Sequence, residues 1–486
     1  MKVEPQKKVS DFALDEDNWV IGNDDSDIVA MPLLAHAAAE HHGALTGLKI
    51  LYINHAISDA LMVARALRGA GAELVNVLVP YRGIEDRSHH SLSQAFSALG
   101  PTYAPAPQHP SLFSAVMAET VAAAIVHIAD SASANGQQWM IVEDGGYAFP
   151  ALHDNPDLTI HMNSCLGAVE HTTRGRWNYE YLETDAAPKT PRTLRRPAVT
   201  ISGSRLKTTH EAGYVAQALV DECHWLLRRD HQFLRHRKVM IIGYGRVGRA
   251  LAQALQRADA SITIHDNALV DTDADLMCSD PISAVEDGAF LVFGATGTSS
   301  FGYSALEAFI MRSPSPILYL ASASSKAIEF ADVVSILDQA AVDNNAAIAL
   351  AGPGSTVLSH LDPEVGLRYT ITVSTPSGSR TRTLVLLGKG YPVIFYPAHT
   401  HGAPNRAMDP VMTQLFLAAV GLPAACLRLT AAVHDINDLI AMPNLGLPAS
   451  WKTLVDEESL LIRWCEENNI DWSEYRREIG FDSNCN

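Results

Sequence analysis

The first regular structure predicted by the spacing of apolar positions is a buried strand at Lys49–Ile53 (KILYI). Helical spacing over Asp59–Ala70 and an apolar run at Ala72–Val79 complete a strand–helix–strand start. A further strand is predicted at Trp139–Val142, running into Glu143-Asp144-Gly145-Gly146. Ligands of open α/β sheets collect at such strand ends. Tyr214, Ala218, Leu219, Cys223, Leu226 and Leu227 recur at helical intervals, so Glu211–Arg229 reads as a connecting helix that leads into the basic turn Arg235–Lys238. Beyond it, Tyr369–Val373 and Thr383–Leu387 read as two strands of a hairpin turned by Ser374–Arg380, and Glu457–Glu467 has a helical texture.

Between the connector and the hairpin, a short apolar strand, Val239–Ile242, meets Gly243-Tyr244-Gly245-Arg246-Val247-Gly248 and then the helical pattern Ala250–Leu255. In this arrangement Gly243 permits the tight turn, Gly245 lets a pyrophosphate come close to the backbone, and Gly248 lets helix pack on strand. The helix start, at Arg246 and Val247, offers N–H groups and positive dipole to the phosphates. The next strand, Ser261–Ile264, ends in Asp266, 23 residues after Gly243, where a carboxylate receives ribose hydroxyls and repels a 2′-phosphate. The segment therefore predicts a Rossmann-type dinucleotide site that favours NAD, with Arg246 and Arg249 keeping NADP open.

Composition narrows the picture. With 486 residues, 47% hydrophobic and 19% charged, the chain reads as a soluble globular protein of two or three domains. A formal charge of −18 argues against nucleic-acid or anionic-membrane partners, which demand a basic face. The six cysteines show no paired spacing for zinc or a disulfide framework, so no metal is expected. The polar stretch Met1–Asp17 has no signal-peptide character, no run of 18 apolar residues occurs elsewhere, and a cytoplasmic location is expected.

A longer series of landmarks resembles the S-adenosylhomocysteine hydrolase family. In chain order these are Asn54-His55, Glu143-Asp144-Gly145-Gly146, Glu170-His171-Thr172-Thr173-Arg174-Gly175, Lys207-Thr208-Thr209-His210-Glu211-Ala212, Tyr214, the glycine loop, Thr296-Gly297 and Arg368-Tyr369. The resemblance implies an α/β chain in which a Rossmann-type NAD domain (211–395) is inserted into an α/β substrate domain (1–210, resuming at 396–445), with a helical tail at 446–486. It implies a small nucleoside-type substrate, a nucleoside thioether, and a homo-oligomer, dimer or tetramer. NAD is then a resident cofactor that oxidises a sugar hydroxyl; the thiol leaves by elimination, water adds and the hydride returns. Lys207 and Glu211 match the base group beside that hydroxyl, His55 and Asp144 the acid/base group across the sugar. His171 falls in a substrate position, and Thr172, Thr173, Thr296 and Gly297 join the glycine loop in holding NAD. A desolvated lysine oriented by a carboxylate is a physically sensible base.

The departures fall where that family touches its ligands. His171 replaces a carboxylate, Glu211 lengthens an aspartate, and Ala212 removes an asparagine used near the nicotinamide. Ile57 and Ala60 replace threonines, Asp59 replaces a glutamate that contacts adenine, and Ser324-Ser325 replace a Gly-His pair. Pro397–Pro404 loosely resembles the family's gate, with His399 and His401 as cleft-lining candidates, and Phe481–Asn486 lacks the Lys and Tyr that reach a neighbouring subunit's NAD. Three readings stay open: an altered NAD-dependent enzyme of this kind, a non-catalytic NAD-binding paralogue, and an ordinary dehydrogenase that releases NADH.

Overall fold

A computed structural model describes residues 31–79, 87–105, 112–182, 189–267, 280–324, 328–342, 355–375, 378–395, 402–440 and 449–481. Its strands are, in chain order, β1 (Leu48–His55), β2 (Glu73–Val79), β3 (Thr102–Tyr103), β4 (Gln138–Glu143), β5 (Cys165–Glu170), β6 (Ala198–Thr200), β7 (Lys238–Ile242), β8 (Ser261–His265), β9 (Leu291–Gly294), β10 (Ile317–Ser322), β11 (Thr356–Asp362), β12 (Gly366–Thr375), β13 (Gly378–Leu387) and β14 (Val433–Asp435). Among the described residues they form two seven-stranded sheets, ordered β14-β6-β5-β4-β1-β2-β3 and β11-β12-β13-β10-β9-β7-β8. The first is parallel throughout. The second is parallel from β13 to β8 and carries an antiparallel β11-β12-β13 flank.

A parallel sheet is covered on both faces, which is why its strands read as continuous apolar runs. In β1 the pleat sends Leu51 and Ile53 to one core, shared with Val121, Ile125 and Ile128 of the helix Phe113–Ala134. Ile50 and Tyr52 face the other, shared with Leu61 of the helix Ser58–Gly69 and with Leu415. The connector helix Ala212–Arg229 extends that second core to Val239 and Ile241 of the second sheet through Leu219 and Leu226, so the two sheets share packing. The far face of the second sheet has its own core around Phe293's neighbours Val292 and Leu320, closed by Phe309 and Phe330.

The expected strands and helices lie within a few residues of their places. The hairpin differs: Ser374 pairs with Ser379 and Thr375 with Gly378, so most of the expected turn continues the ladder. Polar composition signalled a loop there, but residues 378–381 are exposed, and a strand with solvent on its flanks is as polar as a turn.

Two helices, Phe113–Ala134 and Asn405–Ala425, reach the length and hydropathy of a membrane span. Both pack against the first sheet, and 89% of the apolar window in the second is buried. Inside that helix, a Cβ on Gly421 would lie 1.9 Å from Trp451 Nε1, and Trp451 is wholly buried. Alanine gains about 1 kcal/mol over glycine in a helix, whereas forcing atoms into a packed core costs ~1–3 kcal/mol. Gly421→Ala is therefore expected to lose up to about 2 kcal/mol in a urea titration. A gain would show that the indole yields.

Candidate functional site

The site follows from the order of the strands. β6, β5, β4 and β1 lie side by side and parallel, so their C-terminal ends form one edge. His55 closes β1, Asp144 follows β4, and His171 follows β5. Backbone bonds from Asp144 N–H to Ile53 O (2.9 Å) and from His171 N–H to Glu143 O (3.1 Å) carry the ladder past the strands and fix these three residues abreast. Beyond β6, the chain enters one wide turn of π-helix, Leu206–Glu211, which presents Lys207 and Glu211 on the same side, i and i+4. Single π turns recur at functional sites because they re-aim side chains that an α-helix would spread.

The side chains join in the same order as the strands. Lys207 Nζ donates to Glu211 at 2.6 Å and stands 3.1 Å from His171 Nε2. His171 Nδ1 lies 3.0 Å from Asp144 Oδ2, and the same oxygen is 3.5 Å from His55 Nε2. His55, Asp144, His171 and Glu211 are all buried. Burial alone would raise the Asp144 carboxyl, but the His55 charge and the hydrogen bonds from His171 and His55 outweigh it and hold Asp144 well below the usual carboxylate range. Phe395 stacks on the His55 ring, with centroids 4.5 Å apart, after the chain returns from the second sheet.

Asp59, the first acidic residue of the helix Ser58–Gly69, is buried near this row. Burial pushes its carboxyl up to about 6; the Ala60 N–H and His171 oppose the rise, while Glu211 and Asp144 add to it. The folded protein thus favours protonated Asp59, a contribution fully present below the ordinary value of 3.8 and lost as pH climbs through about 6. Asp59→Asn keeps the acceptor for Ala60 and removes the titration. The variant is expected to gain about 2 kcal/mol on wild type between pH 4 and pH 7 in denaturant titrations. A constant difference across that range would show that Asp59 ionises without cost.

On the second sheet, the loop after β7 meets the loop after β9 at the point where the strand order reverses. Gly243 has φ +100, and a Cβ there would lie 2.6 Å from Ala295 O. A Cβ on Gly248 would lie 2.0 Å from Gly243 O, whereas around Gly245 nothing comes within 4 Å. The helix Arg246–Arg257 starts at this open position. Asp266 follows β8, and its Oδ2 accepts the Tyr244 N–H at 2.6 Å, so the acid is tied to the glycine loop. These features fit a dinucleotide: close approach is free at Gly245 and denied elsewhere, and a carboxylate stands at the next strand end.

Other expected cofactor residues have protein partners. Thr172 caps the helix Thr173–Glu180: its hydroxyl accepts from Gly175 N–H and donates to Glu170. Thr173 is the first residue of that helix. Thr296 N–H and Gly297 N–H donate to Glu329 at 2.7 and 2.6 Å. Arg246 donates to Ser202 O at 2.6 Å, five residues before Lys207, and so ties the glycine-loop helix to the first sheet. Val247 follows it in the same helical turn. His399 and His401 lie outside the described residues, as does Ser325.

No family model matches the chain. Over 158 residues it is 27% identical to the adenosylhomocysteinase of Acinetobacter baylyi, a stretch that takes in 32% of this chain and 30% of that protein. The match thus spans less than a third of the relative's own length. Among solved structures, a 2-hydroxyacid dehydrogenase from Ketogulonicigenium vulgare is 13% identical with a TM-score of 0.34, covering 78% of this chain and 95% of that one. The NADPH-dependent glyoxylate/hydroxypyruvate reductase of Sinorhizobium meliloti is 12% identical with a TM-score of 0.35, covering 79% and 97%. Neither of these two likenesses bears on the chemistry.

Three contributors escaped the sequence reading. Phe395 carried no motif. Glu170 is buried between Gly145 N–H, Thr172 N–H and the Thr172 hydroxyl, and burial, then the Glu143 and Asp144 charges, push it well above its ordinary value. His210 is buried inside the π turn: Nε2–H donates to Ala407 O and Nδ1 accepts from the Tyr475 hydroxyl, both at 2.6 Å. With Glu457 accepting the Arg205 N–H at 3.1 Å, the C-terminal helices grip both ends of the turn that carries Lys207. A histidine three residues from a candidate lysine was the available signal for His210.

Proposed function

We propose that the chain is an adenosylhomocysteinase-like, NAD-dependent protein that acts on a nucleoside thioether through transient oxidation of a sugar hydroxyl, elimination and water addition. The observation that carries this reading is the row Glu211–Lys207–His171–Asp144–His55, half-buried at Lys207 and buried elsewhere, assembled in the order of the strands. When bound, NAD supplies reversible hydride acceptance, and Gly243, Gly245, Arg246, Val247, Gly248 and Asp266 are the residues that would hold it. The rest is the work of the chain's own side chains. Lys207, held by Glu211, takes the hydroxyl proton, since an amine relieved of its proton is a base and a neighbouring carboxylate keeps it aimed. At the other end, His55 gives a proton to the departing sulfur and later takes one from water, and Asp144 orients the ring and balances the charge it gains.

The 27% identity with an adenosylhomocysteinase supports the same reading. The test is to denature the purified protein and assay the released nucleotide, then to incubate native protein with S-adenosylhomocysteine and follow free thiol and absorbance at 340 nm. Released NAD together with thiol formation supports the proposal. NADH accumulating in solution would indicate an ordinary dehydrogenase, and bound nucleotide without thiol a non-catalytic paralogue; either outcome sinks it.

A further inference from the structure

His171 touches both halves of the row. Its Nε2 faces Lys207 Nζ at 3.1 Å and its Nδ1 faces Asp144 Oδ2 at 3.0 Å. An ammonium has protons and no acceptor, and a carboxylate accepts only. A neutral imidazole carrying its proton on Nδ1 therefore satisfies both neighbours at once. The same Oδ2 is also the oxygen nearest His55 Nε2, at 3.5 Å. Two groups expected to work at opposite ends of a sugar are thus joined by one continuous line of hydrogen bonds inside the protein.

We infer that His171 is a proton wire that lets the proton taken up at Lys207 be delivered at His55. The inference rests on the function proposed above. A proton leaves Lys207 Nζ for His171 Nε2 as the Nδ1 proton passes to Asp144 Oδ2, and the proton on Oδ2 replaces the one that His55 Nε2 gives to the departing sulfur. One N–H bond breaks at Lys207 and one forms at His55. No electrons change hands, and His171 ends with its proton on Nε2 instead of Nδ1. The reverse passage during water addition and hydride return restores the starting tautomer. Passage through Oδ2 is brief, because Asp144 is held too acidic to keep a proton. The groups that face the imidazole are Asp144 and His55 from the strand ends, Lys207 and Glu211 from the π turn, Asp59 from the helix after β1, and Glu170 beside it in β5. The circuit also explains the departure at this position, since a carboxylate at 171 has no N–H to pass to Asp144 and an imidazole relays.

The first test needs neither substrate nor added nucleotide. Ring-nitrogen NMR of the full chain follows the titration of His55 in wild type, Lys207→Met, His171→Gln and the double variant. Coupled groups report one another's charge. Lys207→Met is expected to move the His55 midpoint when His171 is present, and by less than half as much in the His171→Gln background. Equal shifts in both backgrounds overturn the wire. The second test adds S-adenosylhomocysteine: His171→Gln is expected to lose thiol release by ~10²-fold, with imidazole restoring release in His171→Ala. Unchanged thiol release in His171→Gln, or no recovery with imidazole, overturns it, whatever happens to bound NADH. If wild type forms no NADH with this probe, the proposed function fails, and the NMR coupling still decides the wire.

Discussion

Lys207→Ala is expected to reduce thiol release from S-adenosylhomocysteine by ~10²–10⁴-fold, the usual contribution of a placed acid/base group. The companion variant decides between two roles for the amine. Lys207→Arg keeps a cation beside Glu211, which now accepts from the ammonium at 2.6 Å. A guanidinium, however, does not give up its proton in a protein. If Lys207 works as a base, arginine falls as far as alanine. If it works as a fixed charge that positions Glu211 and His171, arginine keeps more than about a tenth of the wild-type rate, and the base assignment is lost. Glu211→Gln, measured alongside, should leave the amine without its orienting charge and lower the rate less than Lys207→Ala does.

The second large effect is expected at the glycine loop, where two neighbouring positions should fail in different ways. Gly245 has φ −69, ordinary for any L residue, and open space around its Cβ position. Gly245→Val should therefore fold with no more than the ~1 kcal/mol loss of an apolar N-cap, yet project into the space where a pyrophosphate would approach the helix start. Losing one or two hydrogen bonds to a charged group, each about 1.5–3 kcal/mol, weakens nucleotide binding on the order of 10²-fold. In Gly248→Val the new Cβ would lie 2.0 Å from Gly243 O, a backbone atom that cannot swing aside as the end of a flexible side chain would. That variant should lose nucleotide and also thermal stability, since the helix Arg246–Arg257 must lift from β7. Calorimetry with added NAD and a melting curve separate the two. Equal melting points for both variants would mean that Gly248 is not a packing glycine, and unaltered NAD affinity in Gly245→Val would place the nucleotide elsewhere.

The parts of this molecule that were legible in the sequence are those governed by local rules. Buried parallel strands are apolar without interruption, so β1, β4 and β7 stood out, and the strand–turn–helix around Gly243 has a spacing that backbone geometry imposes. Asp266 was visible because a strand end of the same unit must follow within a fixed distance. What the sequence concealed depends on strand order. Lys207 and His171 are 36 positions apart, and nothing in their spacing says that β6 lies beside β5. The π turn was not foreseen, because one extra residue in a turn leaves no mark in the apolar pattern. Thr172 and Thr296 show a limit of motif reading. Both sit in recognisable sequences, and both hydroxyls have a carboxylate partner in the fold, Glu170 and Glu329, that no local pattern announces.

The burial of Asp59 shows the same limit from the other side. The resemblance implied a substrate contact for it, and nothing in the spacing announced that its carboxyl would face two others. Proximity to Asp144 and Glu211 gives it another character, a carboxyl that prefers its proton and adds to the electrostatics of the row.

The edge strand β14 has a consequence for the order in which the molecule is made. All seven strands of the second sheet come from one uninterrupted stretch, residues 238–387, which can pair as soon as it leaves the ribosome. The first sheet has six strands by residue 200 and must wait for Val433–Asp435 before its β6 edge is covered. Until then Ala198, Val199 and Thr200 are an unpaired template beside the future site, open to the wrong strand. The middle of this protein is thus finished while its beginning is still incomplete, and truncation before residue 433 should yield a chain with one sound sheet and one that aggregates.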